Sequence, residues 1–127
     1  MARKKSIVIV DDDVEVSEMT RMRLEQTGLY TVRVCNRGSV ALTLLKETRP
    51  DMVLLDIVMP DADGTEIARQ IAGDKSLAGM RVVFMTSLVE EEETDRSSVI
   101  GGHPFIAKPI SGEVLLKSVK EFFELGH

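Results

Sequence analysis

Short apolar runs alternate with helical patterns along the whole chain. Parallel strands cannot be joined by tight turns, so each pair needs a crossover segment, which is usually a helix. The alternation therefore predicts an α/β fold in which helices connect the strands of a parallel sheet. Five strands are predicted, at residues 6–10, 30–35, 52–56, 81–85 and 104–107.

The first helix has clear start and stop signals. It is predicted to begin near Val14, with the Asp13 side chain as its N-cap and Gly28 as its C-terminal stop. Its predicted inward face is apolar and only moderately periodic: Val16, Met19 and Leu24.

Three further helices are predicted with similar signals. The second covers residues 39–47, and the third follows the turn at Asp63 and Gly64 and lasts to about residue 72. Ser111 is expected to cap the last helix. The inward face of that helix has apolar residues at i, i+4 and i+7, backed by two neighbours: Leu115, Val119 and Phe122, with Leu116 and Phe123.

The helix between the fourth and fifth strands is the weakest element of the prediction. Residues 90–93 are all glutamate, and Val99 and Ile100 supply nearly all the apolar surface behind them. We expect this helix to be short or mobile. Pro104 has no N–H to donate, so we expect it at the first position of the fifth strand, on an edge of the sheet.

Length and charge restrict the classes of function. At 127 residues the chain is expected to be one domain, and its 16 basic and 21 acidic residues give a net charge of −5. This charge opposes non-specific attraction to nucleic acid or to an anionic membrane. No apolar stretch reaches the roughly 20 residues of a membrane span, and Cys35 is the single cysteine. We expect a soluble, cytoplasmic protein, either whole or part of a larger regulator.

Three consecutive aspartates, Asp11, Asp12 and Asp13, follow the apolar run at residues 7–10. Two carboxylates about 4 Å apart repel by roughly 4 kcal/mol at an effective dielectric near 20, so a fold needs something to offset that cost. A hard divalent cation is one candidate. The alternative is a solvated turn in which an aspartate caps the next helix.

Polar residues end four of the predicted strands: Asp11 with Asp12, Asp56, Thr86 and Lys108. Open α/β sheets bind ligands at this edge, particularly where the strand order reverses. In a flavodoxin-like, doubly wound sheet of order 2-1-3-4-5, strands one and three are neighbours about 4.8 Å apart. Asp12 and Asp56 could therefore share one cation.

At these residues the chain resembles the receiver domain of two-component response regulators, over essentially residues 1–127. Four ordered segments carry the resemblance: IVIVDDD (7–13), DMVLLDIVMPDADG (51–64), MTS (85–87) and FIAKP (105–109). The resemblance implies a single domain that accepts a phosphoryl group on Asp56 from a phosphohistidine. The donor would be a sensor histidine kinase or a histidine phosphotransfer protein.

The resemblance also assigns a cofactor and its ligands. Asp11 and Asp12 match the acidic pair that holds Mg²⁺, with Asp12 the more direct ligand. Asp56 and the backbone carbonyl of Val58 match the remaining protein ligands. Mg²⁺ keeps several waters and uses few carboxylates, which suits an open site of this kind.

The remaining matched residues are expected to respond to the phosphoryl group. Lys108 would place its ammonium against the phosphoryl oxygens, and Thr86 would donate its hydroxyl to another of them. The peptide bond between Lys108 and Pro109 is expected to be cis. Phe105 would turn inward when Thr86 moves, which would change the surface of the fourth helix, fifth strand and fifth helix. That surface would control a downstream protein or an output domain outside this chain.

Several residues have simpler interpretations. Asp13 is expected to be a helix cap, Asp61 and Asp63 to shape a turn, and His103 to be structural. Phe105 taken alone would be an ordinary core aromatic residue.

Other functions remain as alternatives to the signalling switch, in which the chain gains and loses only its own phosphoryl group. A haloacid-dehalogenase-type phosphatase needs an aspartate where Val58 stands. In a flavin carrier the three aspartates would repel the flavin phosphate. A receiver that works without phosphorylation is a further alternative. Finally, apolar Val58 and Leu88 offer no group to position an attacking water, so we predict slow loss of the phosphoryl group.

Overall fold

The computed structural model describes residues 3–87, 99–100 and 102–125 of the chain. The strands in this part of the chain are, in order, β1 (Lys5–Val10), β2 (Tyr30–Cys35), β3 (Met52–Asp56), β4 (Val58–Met59), β5 (Ala62–Asp63), β6 (Arg81–Thr86), β7 (Val99–Ile100) and β8 (His103–Ala107). The helices are α1 (Val14–Glu25), α2 (Ala41–Thr48), α3 (Gly64–Ala72) and α4 (Gly112–Glu124). Within the described ranges, no helix is both long and apolar enough to cross a membrane.

The main sheet has the order β2-β1-β3-β6-β8-β7, and its first five strands are parallel. With β6 and β8 as the predicted fourth and fifth strands, this is the predicted flavodoxin-like order 2-1-3-4-5. The predicted fold class is therefore confirmed. The predicted fifth helix corresponds to α4.

The sheet is covered on both faces, as a doubly wound fold requires. All five residues of β3 are buried, because this strand lies in the middle of the sheet and packs against helices on both sides. On one face the strands pack against α2 and α3, through Leu45 and Ile67 among others. On the other face they pack against α1 and α4, through Leu24 and Val119.

The region before β8 differs from the prediction. Val99 and Ile100 were expected on a helix, but they form β7, which runs antiparallel to β8 with Ile100 opposite His103. Their β-branched side chains favour a strand, and Gly102 has the positive φ of 87° that a tight reversal requires. The helix prediction was therefore wrong for these two residues. The glutamates at 90–93 lie outside the described residues.

Pro104 also occupies a different position from the expected one. It is the second residue of β8, and β7 pairs with the outer side of that strand, so β8 is not an edge. Pairing of β8 with β6 begins at Phe105, opposite Phe84. Pro104 therefore lies outside that parallel ladder, where its missing N–H is tolerated.

The buried face of α1 was predicted only in part. Leu24 is fully buried as expected, but Met19 is 70% exposed. Ser17 and Thr20 are buried instead, and their hydroxyls donate to the backbone carbonyls of Val14 and Val16. Because these bonds satisfy the hydroxyls within the helix, two polar residues can face the sheet at little cost.

The end of α4 is attached to the sheet by Arg81, the first residue of β6. Its guanidinium donates to the carbonyl oxygens of Phe122 and Phe123, at 3.1 and 3.2 Å. The Phe123 ring also stacks on Tyr30, with 5.7 Å between centroids. The last carbonyls of a helix have no partner within the helix, so Arg81 both caps α4 and fixes its direction.

We predict that Arg81→Ala lowers the free energy of unfolding by about 1 to 2 kcal/mol, because two carbonyls lose a charged donor. Urea denaturation measures this. Arg69→Ala is the matched control, because Arg69 is exposed and forms a surface ion pair with Glu66, whose loss should cost about 0.5 kcal/mol or less. Equal losses in the two variants would contradict the role given to Arg81.

Candidate functional site

Four strands bring the predicted site residues to one edge of the sheet. Asp11 directly follows β1, Asp56 ends β3, Thr86 ends β6 and Lys108 directly follows β8. Neighbouring strands are in register here, since Asp56 lies opposite Met85 and Thr86 lies opposite Ala107. Parallel pairing therefore brings Asp56, Thr86 and Lys108 to the same edge as Asp11, although they follow it by 45 to 97 positions in the sequence.

Three carboxylates meet at this edge. Asp11, Asp12 and Asp56 each offer an oxygen, and these oxygens all lie within 4.8 Å of one another. Asp11 and Asp56 are buried, while Asp12 is exposed. A set of carboxylate oxygens that is open on one side matches the ligands that Mg²⁺ uses in proteins.

The third aspartate of the cluster has a separate role. The Asp13 carboxylate accepts a hydrogen bond from the backbone N–H of Val16 at 3.1 Å and caps α1, which confirms the prediction. Its own backbone N–H donates to Oδ1 of Asp11 at 3.0 Å. Asp13 therefore orients Asp11 as well as starting the helix.

Lys108 supplies the positive charge in the site. Its Nζ lies 2.6 Å from Oδ2 of Asp11 and 3.8 Å from Oδ2 of Asp56. Its backbone N–H donates to the carbonyl of Thr86 at 2.9 Å, which fixes the start of the loop. The Lys108–Pro109 peptide bond is cis, as the resemblance implies.

The pKa of Asp56 is raised to about 6. Burial is the largest cause, because the ionised form loses hydration. The Lys108 ammonium opposes this effect, while the negative charges of Asp11 and Asp12 add to it. The backbone amide of Val58 lowers the pKa by hydrogen bonding. The ionised form of Asp56 is thus disfavoured in this site, and a bound cation would stabilise it.

The loop after β3 is fixed by a close backbone approach at Gly64. The N–H of Gly64 donates to the carbonyl of Ile57 at 2.8 Å. A Cβ at residue 64 would lie only 2.1 Å from the carbonyl oxygen of Asp56, so no larger residue fits. Val58 follows in β4 and is 59% exposed.

The two residues of the predicted switch lie on neighbouring strands. Thr86 is 1% exposed. Phe105 is 7% exposed and belongs to the same core cluster as Phe84, its partner in register. The aromatic ring is therefore already buried in this structure, and its expected movement stays a prediction. Leu88 lies outside the described residues.

The sequence analysis did not predict two polar contacts of the loop after β2. The Asn36 side chain donates to the carbonyl of Asp11 at 2.8 Å, and the Asp61 carboxylate accepts from the backbone N–H of Ser39 at 2.9 Å. Asp61 and Asp63 do shape turns, as predicted, and Asp63 caps α3. Asn36 directly follows β2, so its place at the same edge of the sheet was the available signal.

The sequence model of the response regulator receiver domain matches residues 7–120 of the chain. The chain belongs to the response regulator receiver family. As a receiver domain it is a signalling domain of two-component systems.

Known receiver proteins resemble it along nearly its whole length. It is 31% identical over 118 residues to the polar-differentiation response regulator DivK of Brucella anthropi, covering 93% of this chain and 95% of DivK. It is also 31% identical to the transcriptional regulatory protein GltR of Pseudomonas aeruginosa, covering 94% of this chain but 49% of GltR. The receiver chain thus spans about half the length of GltR.

Solved structures agree with this membership. The signal receiver domain of a signal transduction histidine kinase from Syntrophus aciditrophicus is 32% identical and superposes with a TM-score of 0.79. The match covers 94% of this chain and 90% of that one.

We predict that the metal-free receiver loses stability as the pH rises from about 4 to about 6. The raised pKa means that folded Asp56 binds more protons than the unfolded carboxyl in this interval. Asp56→Asn should remove this loss and raise the free energy of unfolding at pH 7.5 by about 1 to 2 kcal/mol, after allowance for solvent screening. Urea denaturation across this pH range measures both effects.

Asp63→Asn is the control for this experiment. The pKa of Asp63 is lowered, chiefly by its hydrogen bonds from Thr65, so neutralising it should not stabilise the protein at pH 7.5. A wild-type stability that rises between pH 4 and 6, with no gain from Asp56→Asn, would refute the explanation.

Proposed function

We propose that this receiver is a phosphorylation-dependent signalling switch that accepts a phosphoryl group on Asp56. The donor is a phosphohistidine of a sensor histidine kinase or a histidine phosphotransfer protein. One observation carries the proposal: Asp56 lies within 4.8 Å of two other carboxylates and 3.8 Å from the ammonium of Lys108. A nucleophile that belongs to a cation site and lies near a positively charged side chain suits phosphoryl transfer.

Mg²⁺ is the proposed cofactor, and the donor set of the site fits it. Asp11, Asp12, Asp56 and the backbone carbonyl of Val58 would hold the ion. These are hard oxygen ligands. Among the carboxylates, Asp11 and Asp56 are buried and Asp12 is exposed, which leaves room for waters and phosphoryl oxygens. When bound, the ion would neutralise negative charge on those oxygens.

In the proposed transfer, one carboxylate oxygen of Asp56 forms a bond to phosphorus. The phosphorus–nitrogen bond of the donor breaks, and its electron pair stays on the imidazole of the donor. The product is an acyl phosphate on Asp56.

Lys108 and Thr86 would stabilise the phosphoryl group. The Lys108 ammonium would move from Asp11 to a phosphoryl oxygen, a short distance because it already lies between Asp11 and Asp56. The hydroxyl of Thr86 would donate to another phosphoryl oxygen. The ammonium of Lys108 and the hydroxyl of Thr86 would together stabilise the transferred group.

The proposed output passes from Thr86 to Phe105. Thr86 follows Phe84 by two residues on β6, and Phe84 is in register with Phe105 on β8. Movement at Thr86 would therefore alter the packing of Phe105 and the outer surface formed by β8 and α4. The predicted fourth helix, the third part of the expected surface, lies outside the described residues. We propose that this surface controls a downstream protein or an output domain outside this chain.

We assign the whole of residues 1–127 to this one receiver domain, with a cytoplasmic location. Its chemistry is limited to gaining and losing its own phosphoryl group. Its net charge of −5 supports partners other than nucleic acid or a membrane surface.

We predict a Mg²⁺-dependent gain of one phosphoryl group after incubation with a small phosphodonor, and none in Asp56→Asn. Intact-mass spectrometry measures the gain. Asp74→Asn is the control, because Asp74 caps the short helical turn Lys75–Leu77 and should leave the gain unchanged.

No gain in the wild type would contradict the proposal and favour a receiver that works without phosphorylation. A gain that persists in Asp56→Asn would show that another residue is the acceptor.

We predict that Val58→Asn speeds loss of the phosphoryl group by about 10-fold, because an exposed amide beside Asp56 can position an attacking water. Adding Leu88→Glu should increase the rate further. The half-life of the phosphorylated mass measures this. Val114→Asn, at an exposed position on α4, is the control. Unchanged half-lives in both Val58→Asn and the double variant would refute the prediction.

A further inference from the structure

The loop after β2, residues 36–39, contacts both sides of the candidate cation site, although none of its residues is a predicted ligand. We call these residues the bridging loop. One side of the site is the segment after β1, which carries Asp11 and Asp12. The other is the β4–β5 hairpin, which begins with Val58.

The first contact fixes the backbone of Asp11. The side-chain amide of Asn36 donates to the carbonyl oxygen of Asp11 at 2.8 Å and to the hydroxyl of Ser17 at 2.9 Å. The N–H of Asp11 donates to the carbonyl of Cys35 at 3.0 Å. Both polar groups of the Asp11 backbone are therefore bound to the end of β2.

The second contact fixes the β4–β5 hairpin. Asp61 lies in its turn, and its carboxylate accepts from the N–H groups of Gly38 and Ser39, at 3.2 and 2.9 Å. Hydrogen bonds from Ser39, by its backbone and its side chain, are the largest causes of the lowered pKa of Asp61. The pair of bonds is thus charge-assisted, which makes it stronger than a neutral contact.

Packing reinforces the second contact. Gly38 is buried, and a Cβ at this position would lie 2.6 Å from Cβ of Ala62 and 3.0 Å from Cε of Met59. The bridging loop therefore lies directly against both strands of the hairpin. A shift of either element would move the other.

We propose that the bridging loop holds the two sides of the cation site at a fixed separation, with Asn36 and Asp61 as positioning residues that set the affinity for Mg²⁺. This inference rests on the proposed function of the site. Mg²⁺ demands near-ideal octahedral geometry, so displaced ligands bind it less well. Residues that orient metal ligands typically change affinity when they are replaced.

The test is a titration of isotope-labelled, metal-free protein with MgCl₂, followed through backbone amide shifts by NMR. Asn36→Ala and Asp61→Ala should each weaken binding by about 10-fold, the lower end of the effect of residues that orient metal ligands. Asn36→Ala leaves the net charge unchanged, so its effect reports geometry alone. Asp61→Asn keeps an oxygen acceptor and should fall between Asp61→Ala and the wild type.

Asp74→Ala is the matched control. Asp74 caps the short helical turn Lys75–Leu77 through the backbone and hydroxyl of Ser76, much as Asp61 caps residues 38–40. It follows the far end of α3, about 13 Å along the helix from the hairpin. Thermal melting of every metal-free variant separates lost stability from lost affinity, and Asp74→Ala should lower the melting temperature only.

Each outcome bears on the proposal. Weaker binding in Asn36→Ala and Asp61→Ala, with a partial return in Asp61→Asn, supports it. Unchanged Mg²⁺ affinity in Asn36→Ala and Asp61→Ala overturns it and leaves the proposed function intact. Equal losses in Asp61→Ala and Asp61→Asn would show that charge acts instead of position, which overturns the role of Asp61. Absence of Mg²⁺ binding by the wild type overturns this inference and the proposed cofactor together.

Discussion

The mutual repulsion of Asp11 and Asp56 at the edge of the sheet is the constraint on which the site depends. Both carboxylates are buried, and two such charges in contact cost several kcal/mol unless a cation lies between or beside them. In this structure the ammonium of Lys108 supplies the positive charge, 2.6 Å from the carboxylate of Asp11. Asp56 lies farther from the ammonium, at 3.8 Å, and its pKa is raised, chiefly by burial and further by the charges of Asp11 and Asp12.

The fold keeps these like charges close together because it holds the segments after β1, β2 and β3 rigidly. Strand β3 is buried on both faces, so Asp56 cannot relax away from its neighbours. Gly64 lets the next loop pass against the backbone of Asp56, and the bridging loop joins that loop to Asp11. In the proposed function, a phosphoryl group on Asp56 would add negative charge to this rigid site, and Thr86 and Lys108 are proposed to stabilise that charge.

The sequence predicted the sheet and the position of most candidate site residues at its edge, because both rest on local patterns. Apolar runs mark buried strands, and Asp11, Asp56 and Lys108 interrupt those runs where the strands end. The bridging contacts could not be predicted in this way, since Asn36 meets Asp11 across 25 residues and Asp61 meets Gly38 across 23. β7 was missed because pairing with β8, and not helical periodicity, decides the state of Val99 and Ile100.

A crystal structure of the protein grown with Mg²⁺ near pH 7.5 tests the central claim most directly. The account predicts one ion held by Asp11, Asp12, Asp56 and the carbonyl of Val58, with the Lys108 ammonium moved away from Asp11. An ion bound elsewhere, or a site in which Lys108 still occupies Asp11 and no ion is present, would contradict it.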